Sequence, residues 1–220
     1  MKTTLPNMIK CLMTVAVLLG ASVPQVAAQG KKLNVLFIGN SYTGTNDLPG
    51  MTKNAALSAG DTLIVDSYTP GGVTLKTHSS SGPVITKIAA GTWNYVVLQD
   101  QSQTPSLWDG WVDTEVKPYA KKLDSMIRKA NKCGRTMFYQ TWGYRDGDAS
   151  YCSGWPPVCT YEGMDSMLKK RYTEMAIENN ALLSPVGSVR REIRTRYPAI
   201  NLYQADGSHP TGVGTFAAAA

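Results

Sequence analysis

Two short runs constrain this chain more than anything else in it. Residues 35–38, VLFI, are apolar at every consecutive position, and residues 95–99, YVVLQ, stay so until the final glutamine. A strand with one wet face alternates apolar and polar residues. Unbroken runs instead mark strands covered on both sides, as in a parallel sheet packed between helices. The first run stops at Gly39-Asn40-Ser41 and the second leads into Gln99-Asp100-Gln101-Ser102-Gln103, so both buried strands deliver polar residues to a turn.

Around these runs, strand-like and helix-like segments alternate. Helical spacing covers residues 48–59 and ends at Gly60, a natural C-cap. A strand over residues 62–68 runs into Pro70-Gly71-Gly72, and a helix over 83–90 stops at Gly91. Residues 111–132 read as one amphipathic helix kinked at Pro118. Then come a strand over 136–141, a helix over 161–180, a short strand over 181–184 and a basic helix over 189–196. Residues 142–160 form a loop rich in glycine, proline and aromatics, long enough to suggest a functional one. The predicted fold is α/β: a three-layer α/β/α sandwich with a parallel, five-stranded, doubly wound (flavodoxin-like) sheet.

The first 28 residues stand apart. Lys2 and Lys10 precede an apolar segment over residues 11–19, and Val26, Ala27 and Ala28 follow, the layout of a secretory signal peptide cleaved after Ala28. Its apolar core is shorter than the roughly 20 residues that span a bilayer, so no stable membrane insertion is expected. Cys11 lacks the small residues of a lipoprotein site ahead of it, and no lipid anchor is expected. Residues 29–220 then make one domain, secreted or periplasmic. The closing alanines read as the inside of a helix, so the natural chain is expected to continue past Ala220.

Removing the leader takes two lysines from a net charge of +6 and leaves +4, scattered except at Arg190, Arg191, Arg194 and Arg196. That cluster is expected to be a solvated helix face, with an anionic surface or polysaccharide as the sharper reading. Nothing points to a nucleic-acid partner. Cys152 and Cys159 flank SGWPPV, and an exported chain meets an oxidising compartment, so they are expected to form a disulfide. Cys133 is left over and is expected to be buried. No spacing of Cys and His suggests a metal.

In a sheet of order 2-1-3-4-5, strands 1, 2 and 3 end side by side, and ligands sit beyond those ends. Ser41, Gly71-Gly72 and the glutamine-rich segment would therefore converge. The chain has two histidines. His209 follows Asp206 by three residues in ADGSHP, whereas His78 has only serines beside it, so His209 is the better base for a serine nucleophile. His78 is expected to be structural.

Taken in order, Ser41, Gly72, the 99–103 segment and Asp206-x-x-His209 resemble the blocks of the SGNH (GDSL-like) hydrolase superfamily across nearly the whole mature chain. Two departures stand out: Asn40 replaces the usual aspartate of Gly-Asp-Ser, and QDQSQ replaces the usual Gly-x-Asn-Asp. The resemblance implies a Ser41–His209–Asp206 triad without metal or organic cofactor. It further implies an oxyanion hole of the Ser41 and Gly72 N–H groups and the Gln101 amide, with Gly71 and Gln103 as alternatives. Trp142 and Tyr144, after strand 4, are candidate substrate-binding residues, since aromatic faces suit sugar rings. The implied activity is hydrolysis of acyl esters, O-acetyl groups on a small molecule or glycan foremost. The rival readings are a non-catalytic carbohydrate-binding protein on a degenerate scaffold and a lipase or thioesterase.

Overall fold

The structure, a computed structural model, describes residues 30–220; the expected signal peptide lies outside them. Five parallel strands form one sheet in the order β2-β1-β3-β4-β5. These are β1 (Lys32–Ile38), β2 (Thr62–Tyr68), β3 (Tyr95–Leu98), β4 (Arg135–Tyr139) and β5 (Leu182–Ser184). Helices α1 (Ser41–Gly44) and α2 (Leu48–Ser58) follow β1, and α3 (Leu75–His78) and α4 (Gly82–Ala89) follow β2. After β3 come α5 (Asp109–Glu115) and α6 (Lys117–Ala130), and after β4 come α7 (Ala149–Cys152) and α8 (Tyr161–Glu178). Helices α9 (Val186–Arg196) and α10 (Gly212–Ala219) close the fold.

Successive strand residues face opposite sides, and both sides of this sheet are covered. Leu36, Ile38, Val96 and Leu98 pack beneath α4, α5, α6 and α8. Val35, Phe37 and Val97 point the other way, toward Leu48 of α2 and Val186 of α9. The apolar runs are thus the two central strands, and their C-terminal ends lie side by side, where Ser41 leaves the sheet.

Three expectations need correction. The helix expected over 111–132 is two helices broken at Val116, because the Pro118 ring cannot coexist with a helical carbonyl four residues earlier. Cys133 is exposed, since it sits in the tight turn between α6 and β4 and not in the sheet. The arginines of α9 are not one solvated face. Arg190 is fully buried, Arg191 pairs with buried Asp165 at 2.6 Å, and Arg194 lies over the Tyr161 ring; Arg196 alone pairs on the surface, with Glu192.

Arg190 is a buried cation that forms no ion pair with a carboxylate among the described residues. Its guanidinium lies 3.8 Å from the Trp142 ring centroid and 4.9 Å from that of Tyr203, and burial pushes its pKa down. It donates to the carbonyls of Leu202 (3.0 Å) and Gly214 (3.1 Å), which bracket the segment carrying Asp206 and His209. The far face of Trp142 stacks on Tyr42 with centroids 4.5 Å apart and planes 3° from parallel. The column Arg190–Trp142–Tyr42 therefore ties the C-terminal segment to the turn after β1.

Asp100, at the end of β3, makes a second tie. Its Oδ1 accepts from the N–H of Leu75 (2.8 Å) and of Gln101 (2.7 Å), joining the loop after β2 to the loop after β3. The carboxyl is fully buried and its Oδ2 has no partner. Burial pushes its pKa up to about 6, with the two N–H donors only partly opposing.

Two stability measurements follow. Lysine at 190 keeps the charge but loses the planar fork and the stacking, so Arg190→Lys should lower the urea-unfolding free energy by about 2 kcal/mol. For Asp100 the folded state holds the proton more tightly than the unfolded state. Its stabilising contribution is therefore largest below about pH 4, falls as pH rises toward 6, and stays lost above that, by roughly 3 kcal/mol. Asp100→Asn keeps the Oδ1 acceptor and cannot ionise. It should be the more stable form at pH 7.5 and flatten the urea stability between about pH 4 and 6; an unaltered pH dependence would contradict this.

Candidate active site

The turn after β1 is built around close approach. A Cβ at Gly39 would sit 2.5 Å from Thr43 Oγ1 and 2.6 Å from Gln99 Oε1, so no larger residue fits there. Gln99, fully buried, accepts at Oε1 from the Asn40 N–H (2.9 Å) and the Thr43 hydroxyl (2.8 Å), and its Nε2 donates to Asn40 Oδ1 (3.0 Å). Asn40 caps α1 by accepting from the Tyr42 N–H at 3.0 Å, while its Nδ2 donates to the Val73 carbonyl at 3.2 Å. An aspartate could accept those bonds but could not donate to Val73. The departure from Gly-Asp-Ser thus gains a link to the glycine loop.

His78 braces the same turn from below. It is fully buried, with Nε2 2.8 Å from the Gly39 carbonyl, so Nε2 carries the proton and donates. Nδ1 has no partner, and burial depresses the pKa, which keeps the ring neutral.

Ser41 opens α1, and its Oγ lies 2.9 Å from Nε2 of His209. His209 Nδ1 lies 2.6 Å from Asp206 Oδ2. Asp206 Oδ1 accepts from the N–H groups of Ser208 (2.9 Å) and His209 (3.0 Å). Burial alone would raise the Asp206 pKa, but these donors and the imidazole outweigh it and hold the carboxyl below the ordinary range. The Asp206 carboxylate thus sets the imidazole with Nδ1 protonated and Nε2 free to accept from Ser41, the arrangement that activates a serine hydroxyl. The turn carrying His209 is pinned through Ser208: Trp142 Nε1 donates to its carbonyl at 3.1 Å, and Tyr42 OH lies 2.6 Å from its Oγ.

Trp142 is therefore not a substrate-binding face. It is fully buried between Arg190 and Tyr42 and acts as a support. Tyr144 is half-buried, and its hydroxyl donates to Gln103 Oε1 and lies 3.0 Å from Ser102 Oγ. Gln101 is turned into its own loop: Oε1 accepts from the N–H groups of Gln103 (3.0 Å) and Thr104 (3.1 Å), and Nε2 faces Ser102 Oγ and Gln103 Oε1. Neither glutamine is hydrogen-bonded to Ser41. Gly72 adopts a left-handed φ of +72°, and the N–H groups of Ser41 and Gly72 have no acceptor among the described residues; Gly71 sits beside Gly72 in the same turn. Cys152 and Cys159 are joined in a disulfide, and Trp155 of that loop donates from Nε1 to the Ser106 carbonyl at 3.0 Å.

Gln99, Tyr42 and Arg190 were missed as site-building residues. Only Gln99 left a signal, as the polar end of an otherwise apolar strand.

Among known proteins, no family model and no curated sequence matches this chain. Solved structures do. A protein assigned to the SGNH hydrolases, from Slackia heliotrinireducens, is 25% identical, with a TM-score of 0.67 over 86% of this chain and 95% of that one. A DUF4886 family protein from Bacteroides uniformis is 18% identical, with a TM-score of 0.67 over 86% and 80%. The acetylxylan esterase Axe2 from Geobacillus stearothermophilus is 17% identical, with a TM-score of 0.57 over 86% and 92%. By its sheet order and these neighbours the chain has the α/β/α fold of the SGNH (GDSL-like) hydrolases, which it resembles also in the order of its sequence blocks.

Proposed function

We propose that this protein is a secreted or periplasmic serine esterase that removes acyl groups, chiefly O-acetyl groups, from carbohydrate. The observation that carries the reading is the unbroken relay from Ser41 Oγ through His209 to Asp206, at 2.9 and 2.6 Å. Ser41 Oγ attacks the ester carbonyl as His209 Nε2 takes its proton, and Asp206 stabilises the imidazolium. The Ser41 and Gly72 N–H groups receive the oxyanion. On collapse His209 returns the proton to the departing sugar hydroxyl, and the acyl group stays on Ser41. Water activated by the same imidazole then releases the acid.

For the third oxyanion donor we favour Gln103 over Gln101. The Tyr144 hydroxyl holds Gln103 Oε1 and leaves its Nε2 without an acceptor among the described residues, whereas Gln101 Nε2 faces two. The acetyl-carbohydrate reading draws on the acetylxylan esterase among the structural neighbours, and on Trp108, which stays 39% exposed beside Trp111 and Tyr151. Export rests on the leader at residues 1–28.

A fluorophosphonate probe should label Ser41. Ser41→Ala should lose the label and at least about 10³-fold of kcat on p-nitrophenyl acetate; undiminished turnover in that variant would end the esterase reading. Across p-nitrophenyl esters, acetate should be preferred, and a preference for long acyl chains would indicate a lipase or thioesterase. Gln103→Ala should reduce kcat by about 10²-fold with little change in KM, and Gln101→Ala by clearly less. The reverse order would move the donor to Gln101.

A further inference from the structure

Behind the Asp206–His209 turn lies a recess of about 440 Å³, the size class of small-molecule clefts. Its walls are Arg145, Asp146, Arg194 and the segment from Pro198 to Tyr203. Arg145 is fastened to the turn. Its N–H donates to the Gly207 carbonyl at 2.7 Å, and a Cβ on Gly207, which has φ +69°, would come within 3.4 Å of Arg145 Nη2. The guanidinium thus rests on the residue that follows Asp206. Arg194 is set in place by donating from Nη2 to the Arg145 carbonyl at 2.9 Å and by lying 4.1 Å from the Tyr161 ring centroid.

Much of this positive charge is unspent. Asp146 takes only the Nε of Arg145, at 2.9 Å, and is itself 74% exposed. Both Nη atoms of Arg145, and Nε and Nη1 of Arg194, have no acceptor among the described residues, and Arg194 has no carboxylate partner there. Two guanidiniums against one carboxylate leave a surplus of one positive charge. That surplus suits a monoanion, and planar forks suit a carboxylate.

We infer that the recess is a subsite for the carboxylate of a sugar acid, so that the enzyme acts on acylated acidic glycans; the glycan part rests on the esterase reading above. The anionic group docks against the guanidiniums of Arg145 and Arg194.

The test is a calorimetric titration of full-length Ser41→Ala protein with trigalacturonate, maltotriose and inorganic phosphate. Trigalacturonate should bind at least about 10-fold more tightly than maltotriose and weaken as salt is raised. Arg194→Gln and Arg145→Gln should each remove about 10-fold of that affinity without affecting maltotriose, and Arg194→Lys should recover part of it. Thermal unfolding of each variant identifies any that fails to fold. Arg145, with a side chain 45% exposed, carries the test if Arg194→Gln does not fold. Equal binding of acidic and neutral trisaccharides, folded glutamine variants that bind like the parent, or phosphate binding more tightly than trigalacturonate would each overturn the subsite. Fluorophosphonate labelling of the wild type reports separately on the esterase. Labelling without acid-selective binding removes the subsite alone, and acid-selective binding without labelling removes the esterase alone.

Discussion

The site depends on a cation held without a counter-ion among the described residues. Arg190 is out of water, and its charge is met by two aromatic faces and two backbone carbonyls. Such a group is costly to bury without partners for its donors and flat faces, and of its nitrogens Nε has none among the described residues. Here the contacts made by the guanidinium fix Trp142, whose ring stacks on Tyr42 and whose Nε1 holds the Ser208 carbonyl. Ser41 and His209, 168 residues apart in sequence, are thereby referred to one rigid column.

Around Ser41 the opposite economy holds, for the turn is set by neutral groups. Gln99 and Asn40 bond to each other and to the backbone of the turn, and an uncharged His78 donates to the Gly39 carbonyl. A charged brace there would perturb the imidazole, whereas carboxamides orient the backbone without adding a long-range field. The buried carboxyl of Asp100 is the exception, and it acts on loop backbones through a single oxygen.

What the sequence made legible follows from period and order. Uninterrupted apolar runs at 35–38 and 95–98 announced the two central strands. The spacing of Asp206 and His209 announced a carboxylate that could reach its imidazole within one turn. Features set by tertiary packing were not legible. A helix written VRREIRTR looks solvated, yet Arg190 turns inward because Trp142 and Tyr203 wait beneath it. Trp142 looks like a sugar platform until its two faces are found occupied. The break at Val116 was readable in kind, from Pro118, but not in degree. The short helices α1 and α3, at four residues each, carry too few residues for a periodic signal.

The 168-residue separation between Ser41 and His209 also bears on timing. A chain emerging from the ribosome presents Ser41 well before His209. Until those later residues are made, Ser41 is an ordinary hydroxyl, with neither imidazole nor column beside it. The contact closes only when β1 and the turn from Asp206 to His209 have met across the sheet. In this architecture the Ser41–His209 contact is a certificate of assembled tertiary structure, withheld by chain order from a molecule that still lacks its later segments.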